Sequence, residues 1–531
     1  MQREINTFDA HLIRPSKKTR AIVLPSICLA YILFRFWDLT ASCLWFDEIF
    51  SVHAAEHSWN ALFSFVAQDL IHPPLFYVLL KFWIGFGGET LFWLRLFPVF
   101  FSILGLFPFL MICKELKLKL LTVAVGLSFF AINGALIKYA QEVRMYSLLL
   151  CLSLFSIWFF TRFFIKGKSF AALVIVNILL VYTHYFGWFV VFSEIIAIVV
   201  IQRIKILQTL LMLGITFAAF VPWIIFIVKT AGGGADIQQN IGWMVRPGFS
   251  GVFEFVFDTV EPFYFQQSSS QPSSLPYISI PLLLLIAAAK ILYLADWKKE
   301  TERNGFYLLS IFTAVPILLA FFGSWILPVS IWGSRHLIIV FVPMSILAAM
   351  FLTSIKIKPL KIALISLVFL LSAAAFIVRI NTPEPHFIWC AWENFAAELR
   401  IKEKDSHEPV NIYTFEDLVA YHFWFSLRNS DKFKVNVVKG IDGLTEDTAY
   451  FLPRGFDGVK TTGENDFEGE SFWIAFRAGK LDLLSPPLSN LISKGYKLGE
   501  STIFEMGNQK ALLVEIRKTE RGRSSQDLFN R

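Results

Sequence analysis

Asp47 and Glu48 stand next to each other just beyond the first long apolar stretch of the chain, flanked by aromatic and aliphatic residues. An acidic pair enclosed by large apolar side chains is not an ordinary solvated loop, because burying a charge is costly unless it has a partner or a function. Such a pair can act as a general base, hold a cation, or bind a polar substrate at the membrane surface. The other polar residues of the chain decide among these uses.

Further polar groups recur where long apolar stretches end. His72 precedes a Pro-Pro pair, whose restricted backbone angles hold the chain extended and keep the histidine in place. Arg335 begins a later stretch, and an arginine at that depth needs a partner, for which a lipid phosphate is suited through paired hydrogen bonds. The turns between these positions carry Gln141, Glu142, Arg144 and Tyr146, and then His184 and Tyr185.

Each of these groups also has a plainer interpretation. Aromatic and charged residues commonly anchor helix ends at the membrane interface, which would account for residues 141–146 and 184–185. A Pro-Pro turn can begin a helix beside an incidental histidine. The segment His53-Ala-Ala-Glu56-His57 matches the H-x-x-E-H pattern of some zinc peptidases, but no third ligand is evident downstream. We expect a surface helix with two exposed histidines there.

The composition identifies a polytopic membrane protein. Of 531 residues, 56% are hydrophobic and 17% charged, with a mean hydropathy of +0.58. The apolar residues come in stretches of roughly 17–22, the length that crosses a bilayer. The net charge of +7 arises from short Lys and Arg clusters between these stretches. Clusters of that kind orient membrane spans, so we expect no nucleic-acid partner.

About eleven spans are predicted: residues 21–40, 91–112, 120–137, 146–165, 170–183, 188–202, 207–229, 276–295, 306–322, 336–354 and 361–379. The basic clusters fall at alternate connections, so one orientation puts all of them in the cytoplasm. The N-terminal segment 1–20 is then cytoplasmic, and the transmembrane domain 21–380 has large outer loops at 41–90 and 230–275. The apolar run 75–86 is too short to span and is expected to lie along the interface.

From about residue 380 the chain becomes polar, and short β-rich runs alternate with helical patterns. We predict a small extracytoplasmic α/β domain over 381–518 and a disordered tail over 519–531. The predicted strands and helices are 410–414, 416–427, 432–438, 471–476, 487–494, 501–506 and 511–516. Only Cys43 and Cys390 of the five cysteines can meet outside the membrane, and their spacing does not require it, so all five are interpreted as structural.

The order of these features resembles the membrane glycosyltransferases with the GT-C fold. A first span, then Asp47-Glu48, His72-Pro-Pro-Leu, an interfacial helix and Arg95-Leu-Phe-Pro resemble the protein-mannosyltransferase and aminoarabinose-transferase group, glycosyltransferase family 39. That group includes the bacterial RgtA-, RgtB-, RgtC- and RgtD-like proteins. The later motifs at 141–146, 183–185 and 334–337 are also similar, and the resemblance covers roughly residues 20–380.

The resemblance implies transfer of a hexosyl or pentosyl group from a polyprenyl-phosphate donor to a lipid, glycan or protein acceptor outside a bacterial inner membrane. Asp47 would be the general base, and Glu48 would orient the acceptor or support Asp47. Alternatively, the two carboxylates would help hold a divalent cation, the one cofactor that the resemblance implies. His72, Arg144 and Arg335 would bind the lipid phosphate in a pocket shared with the acidic pair. The aminoarabinose enzymes have Lys in place of His72, so phosphate binding here could depend on pH. Supporting roles would fall to Gln141, Glu142, Tyr146, His184 and Tyr185.

Other classes of membrane protein fit less well. A transporter or lipid flippase, the main alternative, would be expected to show internal repeats and polar groups near the bilayer midplane. No repeat is evident, and the candidate groups collect on one face of the membrane. A lipid-linked polymer ligase would share the substrate class but would be expected to lack the early Asp-Glu pair. A scaffold for an envelope complex would need none of these motifs.

Overall fold

The structure is a computed structural model of the chain. It describes residues 17–201, 205–231, 241–242, 244–263, 300–381, 389–405, 408–439, 452–463, 466–478, 480–506 and 509–519. The chain divides into two compact units, Met1–Leu39 with Leu70–Pro383, and Thr40–Asp69 with Glu384–Arg531. We call them the first unit and the second unit.

Helices make up the described part of the first unit, because a chain that crosses hydrocarbon must pair its backbone N–H and C=O groups within each segment. Up to residue 381 the described helices are α1 (Lys17–Phe36), α2 (Phe46–Glu56), α3 (Trp59–Asp69), α4 (Leu75–Gly87), α5 (Leu91–Leu104), α6 (Leu106–Glu115), α7 (Leu120–Ile132), α8 (Gly134–Gln141), α9 (Tyr146–Lys166), α10 (Phe170–Thr183), α11 (Gly187–Ile201), α12 (Ile206–Ala231), α13 (Phe249–Val260), α14 (Glu300–Ile326), a 3₁₀ helix (His336–Val340), α15 (Phe341–Ser354) and α16 (Lys358–Asn381). Of these, α2 and α3 belong to the second unit.

The predicted spans coincide with helices wherever the structure describes them. Within that part of the chain, 6 helices are long and apolar enough to cross a membrane: Leu91–Glu115, Tyr146–Lys166, Ile206–Thr230, Arg303–Ile326, His336–Ser354 and Lys358–Asn381. Shorter apolar helices are Ile22–Phe36, Leu75–Gly87, Leu120–Ile132, Phe170–Thr183 and Gly187–Ile201. The polytopic helical class is confirmed. The predicted span 276–295 and all but the first residue of the predicted tail 519–531 lie outside the described residues.

Arg35 interrupts the first apolar stretch for a structural reason. Its side chain is fully buried and donates to the backbone oxygens of Phe130, at 2.9 Å, and Ala131, at 2.6 Å, near the end of α7. The last carbonyl groups of a helix have no partner within it and favour a cation. Arg35 therefore joins α1 to α7, and these hydrogen bonds satisfy its guanidinium group in the hydrocarbon region.

A buried polar network connects α9, α10 and α11. Ser156 contacts Asn177 Oδ1 at 2.7 Å and Glu194 Oε1 at 2.6 Å, and Asn177 Nδ2 donates to Glu194 Oε2 at 2.7 Å. All three side chains are fully buried. Hydrogen bonds between membrane helices typically contribute about 0.6–2 kcal/mol each. The network fixes the register of three helices whose ends carry candidate site residues.

The second unit contains a six-stranded sheet with helices on its faces. Its further elements are α17 (Cys390–Lys402), β1 (Val410–Thr414), α18 (Asp417–Leu427), β2 (Phe433–Val438), β3 (Lys460–Thr462), β4 (Ser471–Arg477), α19 (Leu488–Ser493), β5 (Tyr496–Met506) and β6 (Gln509–Lys518). The strand order is β3-β2-β1-β4-β6-β5, parallel from β3 to β4 and antiparallel at β4-β6-β5. The predicted α/β domain is confirmed.

Two apolar clusters line the sheet, as expected when successive strand residues point to opposite faces. One contains Trp392 of α17 and Phe423 of α18 packed against Ile412. The other contains Leu488 of α19 packed with Phe472. The alternation of β and α elements, which is readable in the sequence, thus gives a sheet covered on both sides.

Candidate active site

Five basic residues form a buried cluster in the first unit, which we call the cationic cluster. The ring centroids of His72 and His184 are 5.3 Å apart, and those of His184 and His336 are 5.4 Å apart. Arg144 and Arg335 lie close enough to act electrostatically on both His72 and His184. Arg335 is half-buried and the other four side chains are at most 6% exposed. The structure thus brings together the three predicted phosphate-binding residues and one predicted supporting residue.

Each member of the cationic cluster lies at a helix end. His72 comes two residues before Pro74, the N-cap of α4, and Arg144 comes just before α9. His184 caps the C-terminus of α10, and Arg335 is the N-cap of the 3₁₀ helix. Helix N-termini carry a partial positive charge, which adds to that of the two guanidinium groups. The local folding that ends each apolar segment therefore positions the cluster.

The histidines of the cluster are neutral at neutral pH. Burial, followed by the charges of Arg144 and Arg335, lowers the pKa of His184 to about 3. Burial and then the nearby Arg144 hold the pKa of His72 well below 6.5. The cluster's positive charge therefore comes from arginine, which stays ionised at all relevant pH values. His72 therefore adds no charge to the unliganded cluster at neutral pH, and a pH dependence of phosphate binding through His72 stays a prediction.

His184 has a defined tautomer. Its Nδ1 accepts a hydrogen bond from the backbone N–H of Phe186 at 3.0 Å, so the ring proton is on Nε2. That Nε2 atom is buried and has no hydrogen-bond partner among the residues that the structure describes. An unsatisfied buried donor costs about 1–3 kcal/mol, and such groups call for an explanation. An oxygen atom of a bound ligand would satisfy it.

One member of the cluster, His336, and two neighbours, Tyr77 and Asp258, were not among the predicted site residues. His336 completes the row of histidines, and the Tyr77 hydroxyl accepts from Arg144 Nη1 at 3.5 Å. Ser334 donates to the Asp258 carboxylate, which links α13 to the turn that carries Arg335. Tyr77 and Asp258 sit in apolar helices with no local motif, so only the tertiary structure reveals them. His336 lies within the 334–337 motif, which marked this turn in the sequence without assigning the histidine a role.

Gln141 and Glu142 support the turn that carries Arg144. The Gln141 amide donates to the backbone oxygen of Arg35 at 3.2 Å and to that of Trp37 at 2.5 Å, and so joins the end of α8 to the end of α1. Glu142 is buried, and Lys138 lies 3.8 Å from its carboxylate.

The two predicted supporting tyrosines pack against aromatic rings. Tyr146 is buried with its ring edge-on to Tyr139 at 5.2 Å. Tyr185 is half-buried, with its ring centroid 6.3 Å from that of Phe220. These contacts suit positioning of the turns, and a role of either tyrosine toward a ligand stays a prediction.

Asp47 and Glu48 lie in the first turn of α2, in the second unit. The buried Glu48 carboxylate accepts from the backbone N–H of Trp45, the N-cap residue, at 3.1 Å. Adjacent helical residues point about 100° apart, since a turn has 3.6 residues. Because Glu48 accepts this hydrogen bond, it stabilises the start of α2, which carries Asp47. Asp47 itself is half-buried. The pocket predicted to be shared with the cationic cluster stays a prediction.

The H-x-x-E-H segment has a structural role. His53 is buried, contrary to the expectation of two exposed histidines, and its Nδ1 is 2.7 Å from the Tyr421 hydroxyl. His57 Nδ1 is 2.7 Å from the backbone oxygen of His53, and Glu56 pairs with Arg428. The prediction was wrong because the helix face that appeared solvated is covered by α18.

The described residues contain no group of three or more His, Cys, Asp or Glu that could hold a metal ion. In the acidic pair, Glu48 is occupied at the helix start, which leaves an incomplete donor set for a divalent cation. A cation held by Asp47 and Glu48 stays a prediction.

Solved structures reveal the fold. ArnT, an aminoarabinose transferase, from Cupriavidus metallidurans bound to undecaprenyl phosphate aligns with TM-score 0.56 and 10% identity, covering 94% of this chain and 98% of that one. Its apo form gives TM-score 0.57 and 11% identity with the same coverage. The chain has a GT-C fold. This confirms the predicted fold class.

An oligosaccharyltransferase from Archaeoglobus fulgidus, tethered to an acceptor peptide, aligns with TM-score 0.47 and 11% identity over 77% of this chain and 63% of that one. No protein-family profile and no curated protein sequence matches the chain.

Proposed function

We propose that this protein is a membrane glycosyltransferase that moves a sugar from a polyprenyl-phosphate donor to an acceptor on the outer face of the membrane. The observation that carries the proposal is the cationic cluster, a buried group of two arginines and three histidines at helix ends. Its chemistry suits a phosphate group, and it occurs on the fold of ArnT, which has been solved with undecaprenyl phosphate.

The cluster would stabilise the leaving group. Transfer breaks the bond between the anomeric carbon and the phosphate oxygen, and the bonding electrons leave with the lipid phosphate. Arg144 and Arg335 would neutralise that charge in a site with little water, where electrostatic stabilisation is strongest. The Nε2–H of His184 would donate to a phosphate oxygen, and His72 would provide a further neutral contact.

Asp47 would act as the general base. As the acceptor hydroxyl oxygen forms its bond to the anomeric carbon, its proton would pass to the Asp47 carboxylate, which balances the charge that leaves with the phosphate. Glu48 would support Asp47 by holding the start of α2. The proposal covers hexosyl and pentosyl donors and lipid, glycan and protein acceptors.

We propose the bacterial inner membrane as the location, with a cytoplasmic N-terminus and the second unit outside. The disulfide between Cys43 and Cys390 supports an oxidising surrounding for that unit. A flippase or transporter is less favoured, because the cluster lies at helix ends and the fold resembles that of a transferase.

The decisive experiment compares Asp47→Asn with Asp38→Asn in the full protein. Asp38, which pairs with Arg379 at 3.4 Å, is a matched control. The substitution Asp38→Asn also removes one carboxylate charge, and Asp38 lies close to Asp47 in sequence. We expect Asp47→Asn to lower transfer by on the order of 10²–10⁴-fold, as loss of a general base does, with donor binding retained. Transfer would be followed by mass spectrometry of envelope glycolipids and glycans in a deletion strain complemented with each variant. Normal transfer in Asp47→Asn would exclude the assignment of the base.

A further inference from the structure

The helix that carries the acidic pair belongs to the second unit. Residues Thr40–Asp69 fold with the C-terminal region, although more than 300 residues separate them in sequence, as the Cys43–Cys390 separation of 347 illustrates. Helix α2 packs against α18, which follows the first strand of the sheet. Asp47 therefore belongs to the second unit and is held there by the packing of α2.

The contacts between α2 and the rest of the second unit lie on both sides of Asp47. Before it, Cys43 is joined to Cys390 at the start of α17 by a disulfide. At the far end of α2, Glu56 accepts from Arg428 Nε at 2.9 Å and from Nη2 at 2.5 Å. A helix held at both ends cannot easily rotate about its own axis, and rotation is the motion that would move Asp47.

Tyr421 of α18 contacts two successive regions of the same helix face. Its ring centroid is 5.2 Å from that of Phe46, and its hydroxyl is 2.7 Å from His53 Nδ1. Phe46 and His53 are seven residues apart, about two helical turns, so they share one face of α2. Tyr421 is fully buried and stacks on Trp424 with centroids 5.6 Å apart and planes 5° apart. It is thus a fixed support beneath the turn that carries Asp47.

The hydrogen bond between Tyr421 and His53 persists across physiological pH. Burial, with the nearby charges of His57 and Arg428, lowers the pKa of His53 to about 3. Burial also holds the pKa of Tyr421 well above 10. Neither partner therefore changes its charge near neutral pH, and the contact is a permanent part of the fold.

We propose that Tyr421 is a positioning residue that, together with the Cys43–Cys390 disulfide, orients α2 so that Asp47 can act as the general base in sugar transfer. This inference rests on the proposed role of Asp47. Tyr421 and α2 belong to the second unit, whereas the residues proposed to bind the donor phosphate belong to the first unit. Loss of the Tyr421 contact should lower kcat and leave the KM for the donor and the binding of the lipid phosphate unchanged.

The test compares Tyr421→Phe with Tyr413→Phe in the full-length protein in membranes. Tyr413 is a matched control, because it is also buried in the second unit and its hydroxyl accepts from the Glu468 backbone N–H at 2.8 Å, away from α2. We expect Tyr421→Phe to lower kcat on the order of tenfold, the effect of losing one buried hydrogen bond at a positioned group. Amide exchange of residues 46–56 should become faster in the same variant, and Tyr413→Phe should change neither quantity.

A second variant examines the other attachment. The double substitution of Cys43 and Cys390 by serine should lower kcat as well, again with unchanged binding of undecaprenyl phosphate. Replacing Cys28 of α1, which forms no disulfide, by serine is the control and should leave kcat unchanged.

The outcomes separate the two proposals. Wild-type kcat and wild-type amide exchange in Tyr421→Phe would overturn the positioning role, as would an equal loss of kcat in Tyr413→Phe. If the wild-type protein transfers no sugar, the proposed function fails. The exchange of residues 46–56 would still decide whether Tyr421 holds the helix.

Discussion

Two groups of buried histidines, one in each unit, differ in how their ring nitrogens are hydrogen-bonded. In the cationic cluster, His184 has one nitrogen bonded to the backbone and a buried Nε2–H without a partner in the described part of the chain. In the second unit, His53 is bonded to Tyr421, and its ring lies 4.6 Å from Trp424 and 5.2 Å from Phe456. Burial holds both pKa values near 3, with arginine charge contributing. A low pKa therefore does not distinguish a site from a core, and what sets His184 apart from His53 is its buried Nε2–H next to two arginines.

The largest effect is expected from the arginines of the cationic cluster. Arg144→Gln or Arg335→Gln should weaken binding of undecaprenyl phosphate at least about 30-fold, because a buried charged contact to the ligand is lost. Arg428→Gln is the matched variant in the other group and should leave this affinity unchanged. Calorimetric titration of the purified protein measures both. Equal weakening by all three variants would remove the distinction between the two groups.

A smaller effect should come from His184→Asn. Asparagine can keep an acceptor for the Phe186 N–H in place of Nδ1 but has no donor at the position of Nε2. We expect binding of undecaprenyl phosphate to weaken about tenfold, the loss of one hydrogen bond to a charged group, with the thermal stability near that of the wild type. His53→Asn should do the reverse, with lower stability and unchanged affinity. Unchanged binding in His184→Asn would mean that Nε2 does not face the ligand.

The mildest test uses pH. Burial lowers the pKa of His53 and of His422 to about 3, against 6.5 for an unperturbed histidine. Between these values the unfolded chain binds more protons, so the second unit keeps its full stability above pH 6.5 and loses it progressively as the pH falls toward 3. The loss at pH 5 should be on the order of 2 kcal/mol per histidine.

Amide exchange of β1 and β4 at neutral pH and at pH 5 measures that loss. His422→Leu should remove about half of the difference between the two pH values, because one of two titrating groups is gone. An identical difference in wild type and variant would contradict the assignment to buried histidine.

Much of the fold could be predicted from the sequence because it rests on local patterns. Apolar length gave the described spans to within a few residues, and alternation gave strands such as 410–414 unchanged. The cationic cluster was partly predictable, since His72, Arg144, His184 and Arg335 all stand where apolar stretches end. These positions coincide with helix ends, and helix ends on one side of a bundle come together.

The remaining features depend on contacts between residues far apart in sequence. The assignment of α2 and α3 to the second unit, the burial of His53 and the contact of Tyr421 with Phe46 each join the first outer segment to the C-terminal region. No pattern within either segment encodes such a contact. Helix α17 and the short strand β3 were also missed, the first because its apolar residues are few and the second because three residues carry too little pattern.

The bond between Cys43 and Cys390 constrains how the polypeptide is threaded through the bilayer. Two thiols can be joined only if both reach the same aqueous compartment, so the number of crossings between them must be even. The spans predicted between the two cysteines satisfy that parity. Because Cys43 is synthesised long before Cys390, the linkage closes only after the intervening helices have been inserted, and an insertion error that skips one crossing would leave the thiols on opposite sides, unable to pair.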